Sequence, residues 1–336
     1  MKIIIDCMGG DNAPAEMLKG AVAAQEELGG EYILVGHKEK LSACAAELGL
    51  VLDGFEILHA EDVVTMEDDA MAAVKTKKDS SMAVGLRALA EGVGDAIVSC
   101  GNTGALFSGA TLIVKRAKGI HRAAIATVLP YDPPVLLLDS GANVVVTTEH
   151  LVEFAVMGAG YYSKLFGVEN PKVGLLSNGT EETKGTPLCR EAYERLTEAK
   201  ETVGVNFVGN VEAGAIPFGA CHVVVTDGFT GNILLKTVEG AGKLVMGRLR
   251  GMFYSSALTR LAALIMKKHL AGFKHSFDAT EHGGSPILGI SKPVIKAHGS
   301  SDAKAFKNAI RQAKIYAESG AIDHISQVML SKEDQL

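Results

Sequence analysis

Residues 3–11 read Ile3-Ile4-Ile5-Asp6-Cys7-Met8-Gly9-Gly10-Asp11: an apolar run, one acid, then a turn through paired glycines. A short run that is apolar on both faces is the pattern of a buried parallel strand. Glycine straight after it lets backbone N–H groups approach a ligand, and a helix start beyond the turn favours an anion there. The same pattern recurs at Ile97-Val98-Ser99 into Gly101–Gly104, and at Leu136-Leu137-Leu138-Asp139 into Gly141-Ala142-Asn143. It returns at Val173–Ser177 into Asn178-Gly179-Thr180, at Val223–Thr226 into Asp227–Asn232, and at Val294-Ile295-Lys296 into His298–Ser301. Six such turns predict a ligand cleft lined by backbone donors along the carboxyl edge of a sheet.

Outward from these runs, strand and helix signals alternate almost throughout. Helices are predicted over Pro14–Leu28, Lys38–Leu48, Ser81–Glu91, Glu149–Phe166, Thr186–Ala199 and Asp302–Ser319, with a helical stretch from Asn232 to about Ala271. Further strands are predicted at Tyr32–Val35, Phe55–Leu58 and Asn206–Val208. Pro130–Pro134 reads as the turn of a hairpin between Ala123–Leu129 and Val135–Leu138. Glu61–Lys78 reads as a polar insertion without a period. Strands alternating with helices imply right-handed βαβ units, hence an α/β fold with a largely parallel sheet. No linker or fixed repeat interrupts the pattern, so residues 1–336 read as a single domain with two lobes.

Composition narrows the function. Of 336 residues 47 % are hydrophobic and 21 % charged, which suits a packed globular core rather than disorder. A net charge of −6 argues against nucleic acid as a partner, because that needs a basic footprint. The five cysteines are odd in number and contain no Cys-x-x-Cys pair, so no metal site and no disulfide framework is indicated. A reducing, cytoplasmic compartment fits that usage. Signal-peptide and membrane-spanning patterns are lacking.

Standard nucleotide loops fail in detail. Gly179–Thr186 reads G-T-E-E-T-K-G-T, with Lys and Gly in the wrong order for a phosphate loop, and no G-x-G-x-x-G follows a strand. No G-x-S-x-G elbow is present, and Cys7 and Cys100 sit in tight turns where a small residue suffices. What remains are polar turns. Lys77–Met82 places two cations and two hydroxyls before a helix; its plain reading is a turn capped by Asp79 or Ser80. Asn178–Gly185 brings an amide, two carboxylates and a lysine onto one loop after a buried strand, against the plain reading of a surface salt bridge. Asp227–Asn232 is denser than a turn requires, whereas His298–Asp302 could be only a helix cap.

Taken in order, these motifs resemble the PlsX phosphate acyltransferase family over nearly the whole chain. The residues that carry the resemblance are Asp6–Asp11, Lys77–Met82, Gly101–Leu106, Leu138–Asn143, Val173–Gly179, Glu182, Lys184-Gly185, Asn206–Asn210, Asp227–Asn232 and Gly283-Gly284 through Asp302. Departures are mild: Cys7 and Cys100 stand where alanine is usual, and Ser285-Pro286-Ile287-Leu288 replaces a typical Ala-Pro-Leu-Leu. The resemblance implies a three-layer, doubly wound, mostly parallel sheet like that of the isocitrate and isopropylmalate dehydrogenases and the phosphotransacetylases, working as a homodimer. It implies transfer of a fatty acyl chain from acyl carrier protein to inorganic phosphate, giving acyl phosphate for phospholipid synthesis, without a cofactor. Lys184, Asn178, Asn232 and His298 are then the expected catalytic groups. Substrate contacts are expected from Asp6, Gly9, Gly10, Lys78, Ser80, Ser81, Asn102, Thr103, Gly104, Asp139, Asn143, Gly179, Glu182, Asn210 and Asp227.

The chemistry agrees with these residue types. A thioester is already activated and phosphate is itself a nucleophile, so the site needs pre-organised donors rather than a covalent enzyme nucleophile. Lys184 or His298 can protonate the departing thiol. One segment points further: Gly240–Phe277 contains no Asp or Glu but seven Lys and Arg, interleaved with Leu258, Leu261, Ile265 and other apolar residues. Its plain reading is a dimer interface. A basic, apolar helical tip also suits peripheral contact with an anionic membrane surface at the inner face of the cell membrane. The rival readings are a short-chain phosphotransacetylase using acyl-coenzyme A, which has no need of such a tip, and a non-catalytic membrane scaffold, which leaves the glycine turns without purpose.

Overall fold

The computed structural model describes residues 1–266 and 283–333. Its strands are β1 (Lys2–Asp6), β2 (Glu31–Gly36), β3 (Phe55–His59), β4 (Ala96–Ser99), β5 (Ala124–Leu129), β6 (Val135–Leu138), β7 (Val173–Ser177), β8 (Phe207–Glu212), β9 (Val223–Val225), β10 (Ser285–Leu288) and β11 (Val294–Lys296). Together they make one sheet in the order β3-β2-β1-β4-β11-β10-β5-β6-β9-β7-β8. Between the strands run α1 (Ala15–Leu28), α2 (Lys38–Leu48), α3 (Ala70–Thr76), α4 (Ser81–Ala90), α5 (Thr103–Gly109), α6 (Thr148–Phe166), α7 (Pro187–Thr202), α8 (Gly228–Phe253), α9 (Ala257–Ile265), α10 (Ala303–Glu318) and α11 (Ala321–Glu333).

Most of the expected elements form where the sequence places them, including the β5–β6 hairpin. Helices at Thr103–Gly109 and Ala321–Glu333 add to the expected set, the stretch from Asn232 is broken between Phe253 and Ala257, and two further departures bear on the site. The polar insertion contains α3, capped by Asp69, whose carboxylate accepts from the Ala72 N–H. Ser285–Leu288, expected only as part of a motif, is a buried strand, β10.

β10 also changes where the turns point. It runs antiparallel to both β11 and β5, and β5 runs antiparallel to β6. Strands β1, β4 and β11 therefore end at one edge, while β6, β9 and β7 run the opposite way. The expectation of six turns along a single carboxyl edge is corrected: two sets of strand ends approach one another across the antiparallel centre.

Packing explains why a cleft opens there. Strand residues alternate between the faces. Ile3 and Ile5 join a core that continues through Leu136, Leu138, Phe154, Tyr161 and Phe306, so α1, α6 and α10 cover one face of the sheet on both sides of its antiparallel centre. On the other face Ile4 and Ile97 pack with Leu86 and Leu106 of α4 and α5. Leu137 and Val224 belong to a separate cluster, against which Leu234 and Leu235 of α8 pack. The second face is thus covered in two patches with a gap between them.

Candidate active site

The gap is a cleft of about 780 Å³. Ile125, Thr127, Val128 and Leu129 of β5 line it. Across its floor runs a ladder of hydroxyls. Thr127 Oγ1 lies 2.8 Å from Ser140 Oγ and 2.9 Å from Ser285 Oγ, joining the turn after β6 to β5 and β10. The β1, β4 and β11 side contributes Asp11, Thr103 and the Lys296–Asp302 segment to the wall; the β6 and β9 side contributes Ser140, Gly141 and one side of α8.

Each of the two sets of turns is shaped around a buried aspartate. In the first, Asp6 accepts from Ser99 Oγ at 2.6 Å and from the Met8 N–H at 3.2 Å, and Ser99 Oγ accepts from the Gly101 N–H at 3.0 Å. Gly9 is required by this contact, because a Cβ there would stand 2.7 Å from Gly101 N. The Asp11 N–H donates to Gly299 O at 2.8 Å, tying in the third turn. In the second set Asp139 accepts from the N–H groups of Gly141, Ala142 and Asn143 and from Asn143 Nδ2. Asn143 Oδ1 in turn accepts from Arg122 Nε at 2.6 Å. A Cβ on Gly231 would lie 1.9 Å from Asp139 O, so only glycine lets α8 start this close to the turn.

Other expected substrate contacts hold structure in the same way. Ser80, Asn102 and Asp227 are the N-caps of α4, α5 and α8, accepting from Ala83, Ala105 and Thr230 N–H groups. Asn102 Nδ2 also donates to the carbonyls of Thr65, Met66 and Asp68, securing that loop at the rim of the cleft. Ser81 is buried, while Lys78 is exposed and does not line the cleft. Gly10 packs against Cys100 and Gly299, and Gly104 faces Ala70.

The Asn178–Gly185 loop, densest in expected residues, lies one strand further out, at the end of β7, and does not line the cleft. Asn178 Oδ1 accepts from the Gly185 N–H at 2.9 Å, and Asn210 Nδ2 donates to Glu181 O at 2.8 Å. Gly179 lies under the stem of Lys184, and Glu182 and Lys184 are exposed. The Ser177 hydroxyl and the Asn210 amide oxygen beside this loop are buried and have no hydrogen-bond partner among the described residues.

Of the expected catalytic groups, Asn232 and His298 line the cleft together with Thr103. Asn232 lies against Gly141. The Ser300 N–H donates to His298 Nδ1 at 3.3 Å, with Ser300 Oγ 2.9 Å away. Nδ1 is therefore the acceptor nitrogen and Nε2 carries the proton. Burial lowers the His298 pKa, and the charges of Lys236, Lys296 and Lys243 lower it further against Glu239. His298 stands in its neutral form amid three cations, an arrangement that suits a bound anion.

Lys296 is the cleft residue that motif reading passed over. It ends β11 and its Nζ donates to Cys100 O at 3.2 Å and to Ala297 O. An ammonium has three N–H donors, so one is left for the cleft. Burial lowers its pKa, while charges on the Cys100, Asp6 and Asp11 side oppose the shift. The signal available in sequence was its position, a cation closing an apolar strand immediately before a glycine turn. The cysteines are not competing nucleophiles: burial pushes the Cys100 thiol up to about 12, and that of Cys7 well above its usual value.

Comparison with known proteins places this geometry. The family model described as fatty acid synthesis protein matches residues 1–324. The chain is 42 % identical over 335 residues to the phosphate acyltransferase of Acetivibrio thermocellus, covering 99 % of this chain and 98 % of that one. It is 43 % identical over 338 residues to the phosphate acyltransferase of Bacillus licheniformis, covering 100 % of both. Among solved structures it is similar to a phosphotransacetylase from Streptococcus pyogenes, with a TM-score of 0.63 and 21 % identity over 96 % of this chain and 94 % of that one. It also resembles a 4-hydroxythreonine-4-phosphate dehydrogenase from Klebsiella pneumoniae, with a TM-score of 0.54 and 12 % identity over 95 % of this chain and 99 % of that one. Those structural likenesses establish the dehydrogenase-like fold. The chain belongs to the PlsX phosphate acyltransferase family.

Proposed function

We propose that this chain, as a phosphate acyltransferase, moves a fatty acyl group from acyl carrier protein to inorganic phosphate in the cleft between its lobes. The product is an acyl phosphate that feeds phospholipid synthesis. The observation that carries this reading is the two-sided wall of the cleft. Lys236, Lys243, Lys296, Asn232 and the hydroxyl ladder supply donors at one side, and Val128, Leu129, Tyr131, Leu235 and Val238 supply apolar surface at the other. A phosphate oxygen attacks the thioester carbon, the carbonyl oxygen gains charge, and the carbon–sulfur bond breaks as the carbonyl reforms. Lys296, with its lowered pKa, and the Nε2–H of His298 are suited to stabilise the oxyanion and protonate the leaving thiolate. Lys184 and Asn178 are assigned an outer role, contacting the carrier beyond the cleft mouth.

Phosphate-dependent release of free thiol from palmitoyl acyl carrier protein, without added metal or nucleotide, tests this. Thiol release that is independent of phosphate would overturn it, as would an absolute need for ATP or NAD.

We also propose that α8 and α9 serve association as a homodimer and peripheral contact with an anionic membrane on the cytoplasmic side. α8 is 26 residues long, yet only Gly228 and Gly231 in it are buried. Leu258 on α9 is 81 % exposed, and Leu261 and Leu264 are bare beside it. Such a run of apolar surface marks an interaction site. No described helix is long and apolar enough to cross a membrane. The Ile265 side chain and residues 267–277 of the basic tip lie outside the described residues. Changing Leu258 and Leu261 to Glu is expected to abolish sedimentation with anionic vesicles and to leave turnover in solution within about twofold, since each apolar side chain that leaves water contributes about 1.5–3 kcal/mol. Undiminished sedimentation would remove α9 as the anchor.

A further inference from the structure

α8 presents two parallel stripes to the cleft. Asn232, Lys236, Glu239 and Lys243 recur at intervals of three or four and form a polar stripe. Leu235, Val238, Gly242 and Met246 recur at similar intervals beside it and form an apolar one. Leu235 packs on the cluster built from Leu129 and Val135, together with Tyr131, so the apolar stripe faces the β5–β6 hairpin. The polar stripe faces His298, whose pKa responds to Lys236, Glu239 and Lys243. The boundary between the polar and apolar linings of the cleft therefore runs along this one helix.

Gly242 interrupts the apolar stripe. It lines the cleft, and a Cβ built on it meets nothing within 4 Å. Helical periodicity at this point calls for a large apolar residue like its neighbours, and glycine is a poor helix former. Among the described residues of this chain no element packs on it, so close packing within the chain does not account for it. What the glycine provides is open width in the apolar half of the cleft.

We infer that Gly242 sets the longest acyl chain the cleft accepts; this rests on the acyl-transfer reading above and adds a specificity determinant to it. On that reading the carbonyl end of the donor sits on the polar side of the cleft, where Lys296, His298, Asn232 and Ser140 line it. Gly242 is ten residues further along α8, about 15 Å at 1.5 Å per residue, so a chain reaches it after about a dozen carbons. Chains shorter than that end before Gly242; longer ones pass over it in the space a side chain would fill.

The test measures kcat/KM for acyl phosphate formation with octanoyl, dodecanoyl and palmitoyl carrier proteins, using the wild type, Gly242→Leu, Gly242→Phe and Gly240→Phe. Gly240 lies on the same helix outside the cleft and also has open space around it. Each buried methylene is worth about fourfold, so losing several should lower the palmitoyl-to-octanoyl ratio at least tenfold in Gly242→Phe, and less in Gly242→Leu. Gly240→Phe should keep the wild-type ratio. Both leucine and phenylalanine favour helix over glycine, so folding is not at risk from the backbone. An unchanged ratio in Gly242→Phe overturns the inference, as does an equal loss with all three donors or the same shift in Gly240→Phe. If the wild type forms no acyl phosphate from any donor, the acyl-transfer reading itself fails, which is a separate result.

Discussion

Two loops of this molecule look very different in sequence and exchange importance in the structure. Asn178–Gly185 carries an amide, two carboxylates and a lysine within eight residues, yet sits at the end of β7 outside the cleft wall. Lys296–Asp302 looks like a strand end followed by a helix cap, yet it lines the cleft almost continuously. The difference is one of strand position. β11 lies at the centre of the sheet beside the antiparallel β10, where the covering layer is missing, whereas β7 lies one strand beyond β9, towards the far edge. Density of polar residues marks a loop as worth attention; the strand it follows decides what it can reach.

The largest effect is expected at the central loop. Lys296→Met keeps the apolar stem and removes the charge. Turnover should fall by about a hundredfold or more, as when a transition-state donor is lost. Steady-state kinetics with palmitoyl carrier protein, alongside a melting curve to show that the fold persists, measures it. A loss below threefold would break the comparison.

At the outer loop, Lys184→Ala is expected to cost about tenfold, carried mainly by KM for the carrier protein, because a contact beyond the cleft contributes binding common to ground and transition states. A hundredfold drop in kcat instead would mean that the loop moves onto the cleft when substrate arrives, and the contrast between the loops would disappear in the working complex.

The smallest effect concerns proton balance. Burial holds the His298 pKa below its ordinary value of about 6.5, so the neutral ring with Nε2–H persists through neutrality. With the folded value depressed, the unfolded chain binds the proton more readily. The stability that His298 contributes is complete above about pH 6.5 and declines as the pH falls towards its folded pKa. Activity should follow the same direction, declining by a few-fold on acidification, and His298→Gln should flatten that limb. A pH–rate profile identical in wild type and His298→Gln would take the histidine out of the proton path.

Much of the fold was legible because its causes are local. Apolar runs of three to five residues and the glycines beyond them act over a few residues and form as read, and Ser80 caps α4; Asn102 and Asp227, expected as substrate contacts, cap α5 and α8. The same locality misled where one residue type serves two purposes. An Asp or Asn in a glycine turn can meet a ligand or cap a helix, and Asp6, Asp139 and Asn143 spend their hydrogen bonds shaping turns. β10 was not legible as a strand, since Ser285-Pro286-Ile287-Leu288 is short, contains proline and follows two glycines.

By itself the sequence determined the α/β alternation, the glycine turns, and membership of a family whose motifs appear in order along the chain. Only the tertiary structure decided which turns share a cleft. That outcome depends on β10 running antiparallel to both neighbours, and on contacts such as Lys296 to Cys100 and Thr127 to Ser285, which join residues more than 150 positions apart. Short-range preferences specify elements. The order and direction of strands come from burying both faces of one sheet at once, a condition satisfied only by the whole chain.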